Sequence, residues 1–449
     1  MKRACLYRRV ALFVPLAALA LLTPLGAVAQ PRPGPAQGLP SPVAGRVLSL
    51  KEAIDIALEN QPTIQARLGD YAAAQQRVYQ AFSGLLPQLG GSWVAARDQL
   101  VFGAGGGNIS TVTRTKYIWS TSTTAKATLS QLLFDFGKTV AATDAAKSNA
   151  ESSKEDVEID RSDTVLQVKE SYFNFLFGQR LVKVNQEAVA RAELNLRSAK
   201  GFFEVGTQPK FTVTRAEVDV ANAQVTLIQA KNAVRLARVA LNTAMGISAT
   251  APTEVQDILS YEPFPVDESR LLAEALQRRP EYRQIKVRVE AAEATLRQNF
   301  RNFFPDITSN AFYGAARADM NEIWELGLTL NWSIFDGGNK IAKYKEAKAN
   351  LEAAQSRVRV EELSIWKEVE QSYINVIETE ERIQAAKKAV ESAQENFRLA
   401  QGRFDAGVGT IIELTDAQLA LTQTQSTEAQ ALTDYRISVS RLERALGRR

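Results

Sequence analysis

Apolar residues recur every seven positions through two long stretches of the chain. In the first stretch they are Val168, Phe175, Val182, Val189, Leu196 and Phe203, and in the second Val369, Val376, Ile383, Val390, Phe397 and Phe404. The second inward-facing position of each heptad is mostly a small residue, such as Ser171 or Ala192. A seven-residue spacing sustained this long predicts supercoiled helices, and small residues beside large ones let neighbouring helices approach closely.

The two stretches are copies of one unit, because residues 129–246 align without a gap on residues 330–447. The identities include the pairs Phe134/Phe335, Asp135/Asp336, Gly137/Gly338, Tyr172/Tyr373, Phe203/Phe404, Gly206/Gly407 and Gly246/Gly447. The alignment predicts a first repeat over 47–250, a linker or equatorial segment over 251–266, and a second repeat over 267–449.

Each copy is predicted to end in a helical hairpin, over 138–246 in the first and 339–447 in the second. The outgoing helix of the first copy would be about 95 Å long at 1.5 Å per residue. The returning helix is too short by about the length of the helix predicted between Pro62 and Leu86. The returning helix and the helix between Pro62 and Leu86 should therefore stack end to end and together match the length of the outgoing helix.

Between the helices of each copy, apolar and polar residues alternate strictly. The apolar set is clearest in Trp324, Leu326, Leu328, Leu330, Trp332 and Ile334. Period two over about ten residues is typical of a transmembrane β-strand, with apolar residues toward lipid and polar residues toward the lumen. An ordinary two-sided sheet in a soluble domain is the alternative.

Strands are predicted at about 88–100, 120–135, 306–316 and 324–335. The second strand would turn Ala125, Ala127 and Leu129 outward, after an external loop at Gly103–Ser110 and interfacial Tyr117 and Trp119. Four strands cannot close a barrel, and an open edge in lipid leaves backbone groups unpaired. Several chains must therefore share one barrel.

The N-terminus predicts export. Basic residues precede an apolar run at Val10–Leu25 and the triplet Ala27-Val28-Ala29, so residues 1–29 have the pattern of a secretory signal peptide. A membrane anchor is the alternative, but the run is short and contains prolines. A Pro-rich leader at 30–46 follows. No later stretch is apolar enough to span a bilayer as a helix, which leaves spanning to strands.

Composition argues against an enzyme. The chain has no histidine, and its single cysteine, Cys5, lies within the predicted signal peptide. The predicted mature chain therefore lacks the usual proton shuttle and the commonest metal ligand, and it has no cysteine to act as a thiol nucleophile or to carry a lipid. We predict no catalytic site, metal or cofactor. The 54 basic and 50 acidic residues are interleaved, so nothing indicates nucleic-acid binding.

Several short motifs, duplicated in order, resemble the TolC-like bacterial outer membrane efflux family, also called outer membrane factors. They are the opening Leu48-Ser49-Leu50-Lys51-Glu52-Ala53, the Phe-Asp-x-Gly turns at Phe134 and Phe335, and the hairpin turns at Phe203 and Phe404. The resemblance implies a mainly α fold with a β-barrel part: a long coiled-coil α-helical barrel, plus four transmembrane strands per chain that form a 12-stranded barrel in a homotrimer.

The same resemblance implies a function and partners. Members are channels of the outer membrane, with their helical part in the periplasm, and they catalyse nothing. They serve as the passive exit duct of a tripartite efflux or type I secretion system. Substrates reach them from an inner-membrane pump through a periplasmic adaptor. Drug, metal and protein export remain open alternatives for this chain.

The resemblance also assigns roles to particular residues. The adaptor would contact the hairpin tips at Val205, Gly206, Thr207, Ala406, Gly407 and Val408. The strand–helix turns would comprise Phe134, Asp135, Gly137, Phe335, Asp336 and Gly338. The periplasmic gate would comprise Glu413, Asp416 and Phe404. Alternatively, the tip glycines only permit a tight turn, and the acidic pair only stabilises the start of its helix.

This chain departs from the family's gate at three positions. Gly409 stands in place of the gate arginine, Phe404 in place of the gate tyrosine, and Thr212 in place of an acid of the first copy. An exported coiled-coil fibre would explain the heptads but not the strands. An envelope hydrolase is disfavoured by the missing histidine and nucleophile elbow.

Overall fold

A computed structural model of the chain describes residues 46–102, 116–265, 268–316 and 321–448. The predicted signal peptide, almost all of the predicted leader and the predicted external loop lie outside the described residues. In the described part, no helix combines the length and the apolar character needed to cross a membrane.

The two copies have helices of matching lengths. The first copy contains α1 (Leu50–Asn60), α2 (Pro62–Ser83), α3 (Lys138–Glu204) and α4 (Lys210–Ala244). The second contains α5 (Glu268–Arg278), α6 (Pro280–Arg301), α7 (Asn339–Asp405) and α8 (Ile411–Ala445). Both α3 and α7 have 67 residues, and both α4 and α8 have 35. At 1.5 Å per residue, the longest helices extend about 100 Å.

The returning helix of each copy ends against the break between two shorter helices. Gly246, just past α4, has φ +70°, and a Cβ there would lie 2.8 Å from Asn60 O. Gly447, just past α8, has φ +73°, and a Cβ there would lie 2.9 Å from Arg278 Cβ. Glycine is needed at both positions for its left-handed backbone and for the close approach. This contact stacks α4 on α2, and α8 on α6.

The long strands form one antiparallel sheet with the order β2-β3-β5-β6. They are β2 (Gln88–Phe102), β3 (Lys116–Phe134), β5 (Asp306–Ala316) and β6 (Asn321–Asn331); β1 (Val47–Leu48) and β4 (Glu254–Val255) form a separate parallel pair. One face of the sheet is largely apolar and carries Leu89, Trp93, Ala125, Ala127, Leu129, Ala311, Tyr313, Trp324, Leu326, Leu328 and Leu330. Ala125, Ala127 and Leu129 share a face with the leucines of β6, as the alternation predicts.

The last strand ends earlier than predicted. We expected it at about 324–335, but β6 spans Asn321–Asn331. Its partner β5 begins at Asp306, opposite Asn331, so β5 offers no further backbone groups to pair with. Trp332 instead donates a hydrogen bond from Nε1 to Phe303 O at 3.2 Å. The strands β2 and β3 are longer than predicted because they pair with each other as far as Phe102 and Lys116.

The main apolar core lies midway along the helices, where the segment after α4 wraps against them. We call this core the belt; it includes Leu48, Tyr172, Val255, Leu259 and Tyr435, all of them buried. The Oη of Tyr172 lies 2.8 Å from Gln256 O and 3.1 Å from Leu48 O. Tyr172 therefore joins the β1–β4 pair to α3, and burial raises the pKa of its phenol to about 12.

An ion cluster next to the belt, with Arg279, Arg444 and Glu281 largely buried, joins helices from both copies. Arg279, which precedes α6, has Nη2 2.6 Å from Glu368 Oε2 on α7. Arg444 on α8 has Nη2 2.5 Å from Glu281 Oε1 and 2.7 Å from Asp163 Oδ1. Burial raises the pKa of Glu281, but Arg444 and Arg279 outweigh burial and hold this pKa below its ordinary value. The carboxylate therefore contributes stability above about pH 4.3, which is lost as the pH falls through its lowered pKa.

Replacing Tyr172 with phenylalanine should lower the free energy of unfolding by about 1–2 kcal/mol, because it removes the hydrogen bonds of the buried hydroxyl to the Gln256 and Leu48 carbonyls. Urea unfolding followed by circular dichroism would measure the change, with exposed Tyr79→Phe as the control. The folded pKa of about 12 exceeds the unfolded value of about 10. The phenol's contribution is thus complete below about pH 10 and is lost as the pH rises through about 12. Equal losses in both variants would contradict this role.

Candidate functional site at the hairpin tips

Each long hairpin reverses direction through the same kind of turn. In the first, Thr207 N donates to Phe202 O at 2.9 Å and Gly206 N donates to Phe203 O at 3.0 Å. In the second, the equivalent bonds join Val408 to Arg403 and Gly407 to Phe404, each at 3.0 Å. This pair of bonds is the Schellman motif, whose left-handed position favours glycine. Gly206 and Gly407 occupy that position, with φ of +77° and +75°.

The six residues predicted to contact an adaptor are all exposed. They are Val205, Gly206 and Thr207 at the first tip and Ala406, Gly407 and Val408 at the second. The two glycines are accounted for by the turn itself. The side chains available to a partner are therefore the apolar Val205 and Val408, with Thr207 and Ala406 beside them.

The second tip has a small apolar core, which we call the tip cluster. Its buried members are Phe404, Ile411 and Leu414, and Phe202, Phe397 and Ala400 pack around them. Phe404, predicted as a gate residue, is only 1% exposed, whereas its counterpart Phe203 in the first copy is 44% exposed. Phe404 can therefore act at this tip only through packing, since its side chain is not available to a solute.

Phe202 is a functional candidate that sequence analysis missed. It lies at the end of α3, in the first hairpin, yet its ring is 5.6 Å from that of Phe404 in an edge-to-face arrangement. The residue at the same position of the second copy is Arg403. This break in the repeat was the available signal, but the sequence does not show that Phe202 reaches across to the other hairpin.

Gly409 has no room for a side chain. A Cβ there would lie 2.9 Å from both Arg403 Cβ and Phe404 N, so any larger residue would require the turn to move. The close packing of this tip therefore requires glycine where the family resemblance leads us to expect an arginine. A gate arginine at this position is incompatible with the turn as folded.

Glu413 and Asp416 are both exposed on the first turns of α8, whereas Leu414 and Ala417 beside them are buried. Thr410 caps this helix, with its Oγ1 accepting from Glu413 N at 3.2 Å. The Glu413 carboxylate lies 3.6 Å from Arg403 Nε, in an exposed ion pair. Arg403 thus partly compensates the charge of Glu413. Glu413 also lies in the first turn of α8, where negative charge is favourable, and Asp416 lies in the next turn.

The first copy has no equivalent acidic pair. Thr212 is buried and its Oγ1 lies 3.3 Å from Gln208 Oε1. Arg215 lies 3.8 Å from Asp219, which also accepts a hydrogen bond from Thr415 Oγ1 at 2.9 Å. Asp219 therefore links α4 to α8 between the two hairpins.

The predicted strand–helix turns differ in their surroundings. Asp135 is buried and accepts from Gly137 N at 2.9 Å and Thr139 N at 2.7 Å. Arg301 of α6 covers this turn by donating to Gly137 O at 2.6 Å. In the second copy Asp336 is exposed and accepts from Lys340 N at 3.1 Å. Phe335 and Gly338 flank Asp336 as Phe134 and Gly137 flank Asp135, but Phe335 is 87% exposed.

The hairpin tips can bind a partner through apolar contacts and through electrostatic attraction. Within the ranges that the structure describes, no group of three or more histidine, cysteine or carboxylate side chains is arranged to hold a metal ion. The arrangement can pack against an apolar partner at Val205 and Val408. It can attract cations at Glu413 and Asp416.

Known proteins share this duplicated arrangement. Residues 53–247 and 271–448 match the family described as outer membrane efflux protein. The chain belongs to this family. The predicted family resemblance is thereby confirmed, and the protein is an efflux channel of the outer membrane whose helices lie in the periplasm.

Individual relatives agree with this assignment. The chain is 25% identical over 420 residues to outer membrane protein TolC of Escherichia coli strain K12, covering 89% of this chain and 82% of that protein. It is 24% identical over 340 residues to nodulation protein T of Rhizobium leguminosarum bv. trifolii, covering 73% and 72%. Its fold is similar to the CmeC outer membrane channel of Campylobacter jejuni, with a TM-score of 0.77, 18% identity, and 89% and 85% of the two chains covered.

Replacing Asp135 with alanine should destabilise the fold more than Asp336→Ala, although both remove the same carboxylate from the same repeat position. We expect a loss of about 1.5–3 kcal/mol at Asp135, because its loss leaves buried donors unpaired. Asp336 is exposed, so water can replace it and the loss should stay below about 1 kcal/mol. Urea unfolding of the purified proteins would compare the two. A larger loss for Asp336→Ala would contradict this assignment.

Proposed function

We propose that three copies of this chain form one continuous duct through the outer membrane and the periplasm. The duct would be the passive exit of a tripartite efflux or type I secretion system. An inner-membrane pump would deliver substrates through a periplasmic adaptor that contacts the hairpin tips. The observation that carries the proposal is the unequal burial of the two equivalent long helices, described next.

Equivalent positions on α3 and α7 have very different exposures. Trp366 on α7 is 54% exposed, whereas Val165, its counterpart on α3, is 4% exposed. Ile374 is 55% exposed, whereas its counterpart Phe173 is 3% exposed. The difference arises because α3 packs between elements of both copies, while α7 lies at the edge of the chain. A second copy of the chain would cover α7 as the second repeat covers α3.

The sheet favours the same assembly. β2 and β6 are its outer strands, and each has one neighbouring strand. The exposed face of β6 carries Trp324, Leu326, Leu328 and Leu330. An apolar face of this kind suits lipid, where an unpaired strand edge is costly. Pairing β6 of one copy with β2 of the next would remove the free edges, and three copies would supply 12 strands.

The mouth of such a duct would be lined by charge. Glu413 and Asp416, repeated in three copies, would place about six carboxylates near the helix ends and make the entrance prefer cations. Because Arg403 pairs with Glu413, Asp416 would contribute more of the uncompensated charge. Substrate choice would lie mostly with the pump.

Replacing Trp366 with glutamate should prevent trimer formation, because the charge would be buried without a partner at every contact between copies. Native mass spectrometry in detergent should show about three chains for the wild type and monomers for the variant. Leu419→Glu is the control, since Leu419 and its counterpart Val218 are both exposed, 67% and 50%. The control should remain a trimer. A trimeric Trp366→Glu protein would contradict the proposed contact.

Removing the acidic pair should weaken block by trivalent cations added on the periplasmic side. For Glu413→Ala with Asp416→Ala, we expect the blocking concentration in single-channel recordings to rise about tenfold or more, because crowded carboxylates concentrate cations locally. The matched control is Glu391→Ala with Glu395→Ala, which removes two exposed carboxylates from the same hairpin. If both double variants were blocked like the wild type, Glu413 and Asp416 would only stabilise their helix.

A further inference from the structure

The contact between the two hairpins is polar over much of its length below the belt. Asn195 Nδ2 donates to Gln418 Oε1 at 2.7 Å, and Arg191 Nη2 lies 3.5 Å from Thr422 Oγ1. In the described part of the chain, Arg191 Nε, Asn195 Oδ1 and Gln425 Oε1 are buried without a hydrogen-bond partner. Burial of unsatisfied polar atoms is unfavourable. These unsatisfied atoms offset part of the stabilisation that the hydrogen bonds of this polar contact, which we call the seam, contribute.

At its tip end the seam becomes apolar. Phe202 of the first hairpin packs on the tip cluster of the second, which includes Phe404, Ile411 and Leu414. The rings of Phe202 and Phe404 are 5.6 Å apart with an interplanar angle of 81°, which is a favourable edge-to-face geometry. Phe202 is the member of this cluster that comes from the other hairpin.

We propose that Phe202 is a latch that keeps the two hairpins of one chain together at the mouth and so sets the resting width of the duct. The inference rests on the proposed function as a duct. Within each hairpin the returning helix packs closely on the long one, so the two helices would move together. Widening the mouth therefore requires the hairpins of a chain to part at their tips. Parting them removes Phe202 from the tip cluster and exposes both surfaces to water.

The latch differs in kind from the hydrogen-bonded lock that the family resemblance implies. Two of the three positions that would supply such a lock are occupied by Phe404, which is buried, and Gly409, which has no room for a side chain. The third is occupied by Thr212, which is also buried. An apolar contact is not screened by salt, whereas an exposed polar or ionic lock is weakened by it. The resting conductance of the wild type, normalised to that of the bulk solution, should therefore not rise with ionic strength.

The neighbouring phenylalanine provides a matched test. Phe202→Ala and Phe203→Ala each remove one phenyl ring from adjacent positions at the end of α3, but Phe203 is exposed and is not a member of the tip cluster. In planar bilayers, Phe202→Ala should raise the time-averaged conductance about tenfold over the wild type, the effect expected for one lost aromatic packing contact. Phe203→Ala should conduct like the wild type.

Phe202→Arg adds a second line of evidence. It places in the first copy the residue that the second copy has at the same position, Arg403, so the helix end tolerates it. Phe202→Arg should open the duct as Phe202→Ala does, and Phe202→Leu should stay near the wild type. Native mass spectrometry should show unchanged trimers for all variants.

The outcomes separate the latch from the duct. If the wild type conducts and the variants at Phe202 and Phe203 behave alike, the latch is wrong and the duct stands. If conductance of the wild type rises steeply with salt, the closure is ionic and the latch is also wrong. A trimer that conducts no ions, in the wild type and in Phe202→Ala alike, would overturn the proposed function and the latch with it.

Discussion

The second of the two long helices, α7, packs mainly against its own copy and leaves large apolar side chains such as Trp366 and Ile374 exposed, and much of the molecule follows from this. Among the described residues, α3 packs against α2 and α4 of its own copy and against α6 and α8 of the other. By contrast, α7 packs mainly against α5, α6 and α8 of its own copy, and Phe202 of α3 reaches it near its end, at Phe404. The sheet has the same imbalance, because β6 leads into α7 and β2 follows α2. The exposed surface of α7 and the unpaired edge of β6 therefore lie on consecutive elements, and the unpaired edge of β2 follows the helices of the first copy. One repeated contact with a further copy would satisfy both edges, which is the condition for a closed, symmetric assembly.

Duplication explains which residues are identical and which have diverged. Gly246 and Gly447 are both glycine because both returning helices end against a break between shorter helices, where backbone and space allow no side chain. Asp135 and Asp336 are also identical, but α6 covers only the first of them through Arg301. At the tips the copies differ in sequence as well, since Phe202 corresponds to Arg403. A residue that is identical in both copies therefore marks a backbone geometry that the copies share. The surroundings of that residue still depend on which elements pack beside each copy.

The sequence was sufficient for those features that depend on local periodicity. Heptads and the gapless alignment predicted the long hairpins, and alternation predicted which face of the sheet is apolar. Features that depend on a distant partner were not predictable. β6 ends at Asn331 because its neighbour begins opposite that residue, which the apolar alternation through Ile334 does not reveal. The cluster around Arg279 and the contact of Phe202 with Phe404 join residues 89 and 202 positions apart, respectively. Phe404 is a heptad position, but Phe202 and Arg279 are not, so the periodicity does not reveal either contact.

Cohesion within the chain is unevenly distributed along the helices. The belt contains large buried side chains from both copies, such as Tyr172 and Tyr435, together with the buried ion cluster around Arg279 and Arg444. The tip cluster has only Phe404, Ile411 and Leu414 as buried members among the described residues, and the seam above it contains unsatisfied polar atoms. Local opening occurs where few apolar contacts must be broken. Opening at the tips therefore breaks fewer apolar contacts than opening at the belt. Because the belt lies about 50 Å from the tips, a small change of angle at the belt becomes a displacement of several ångströms at the tips.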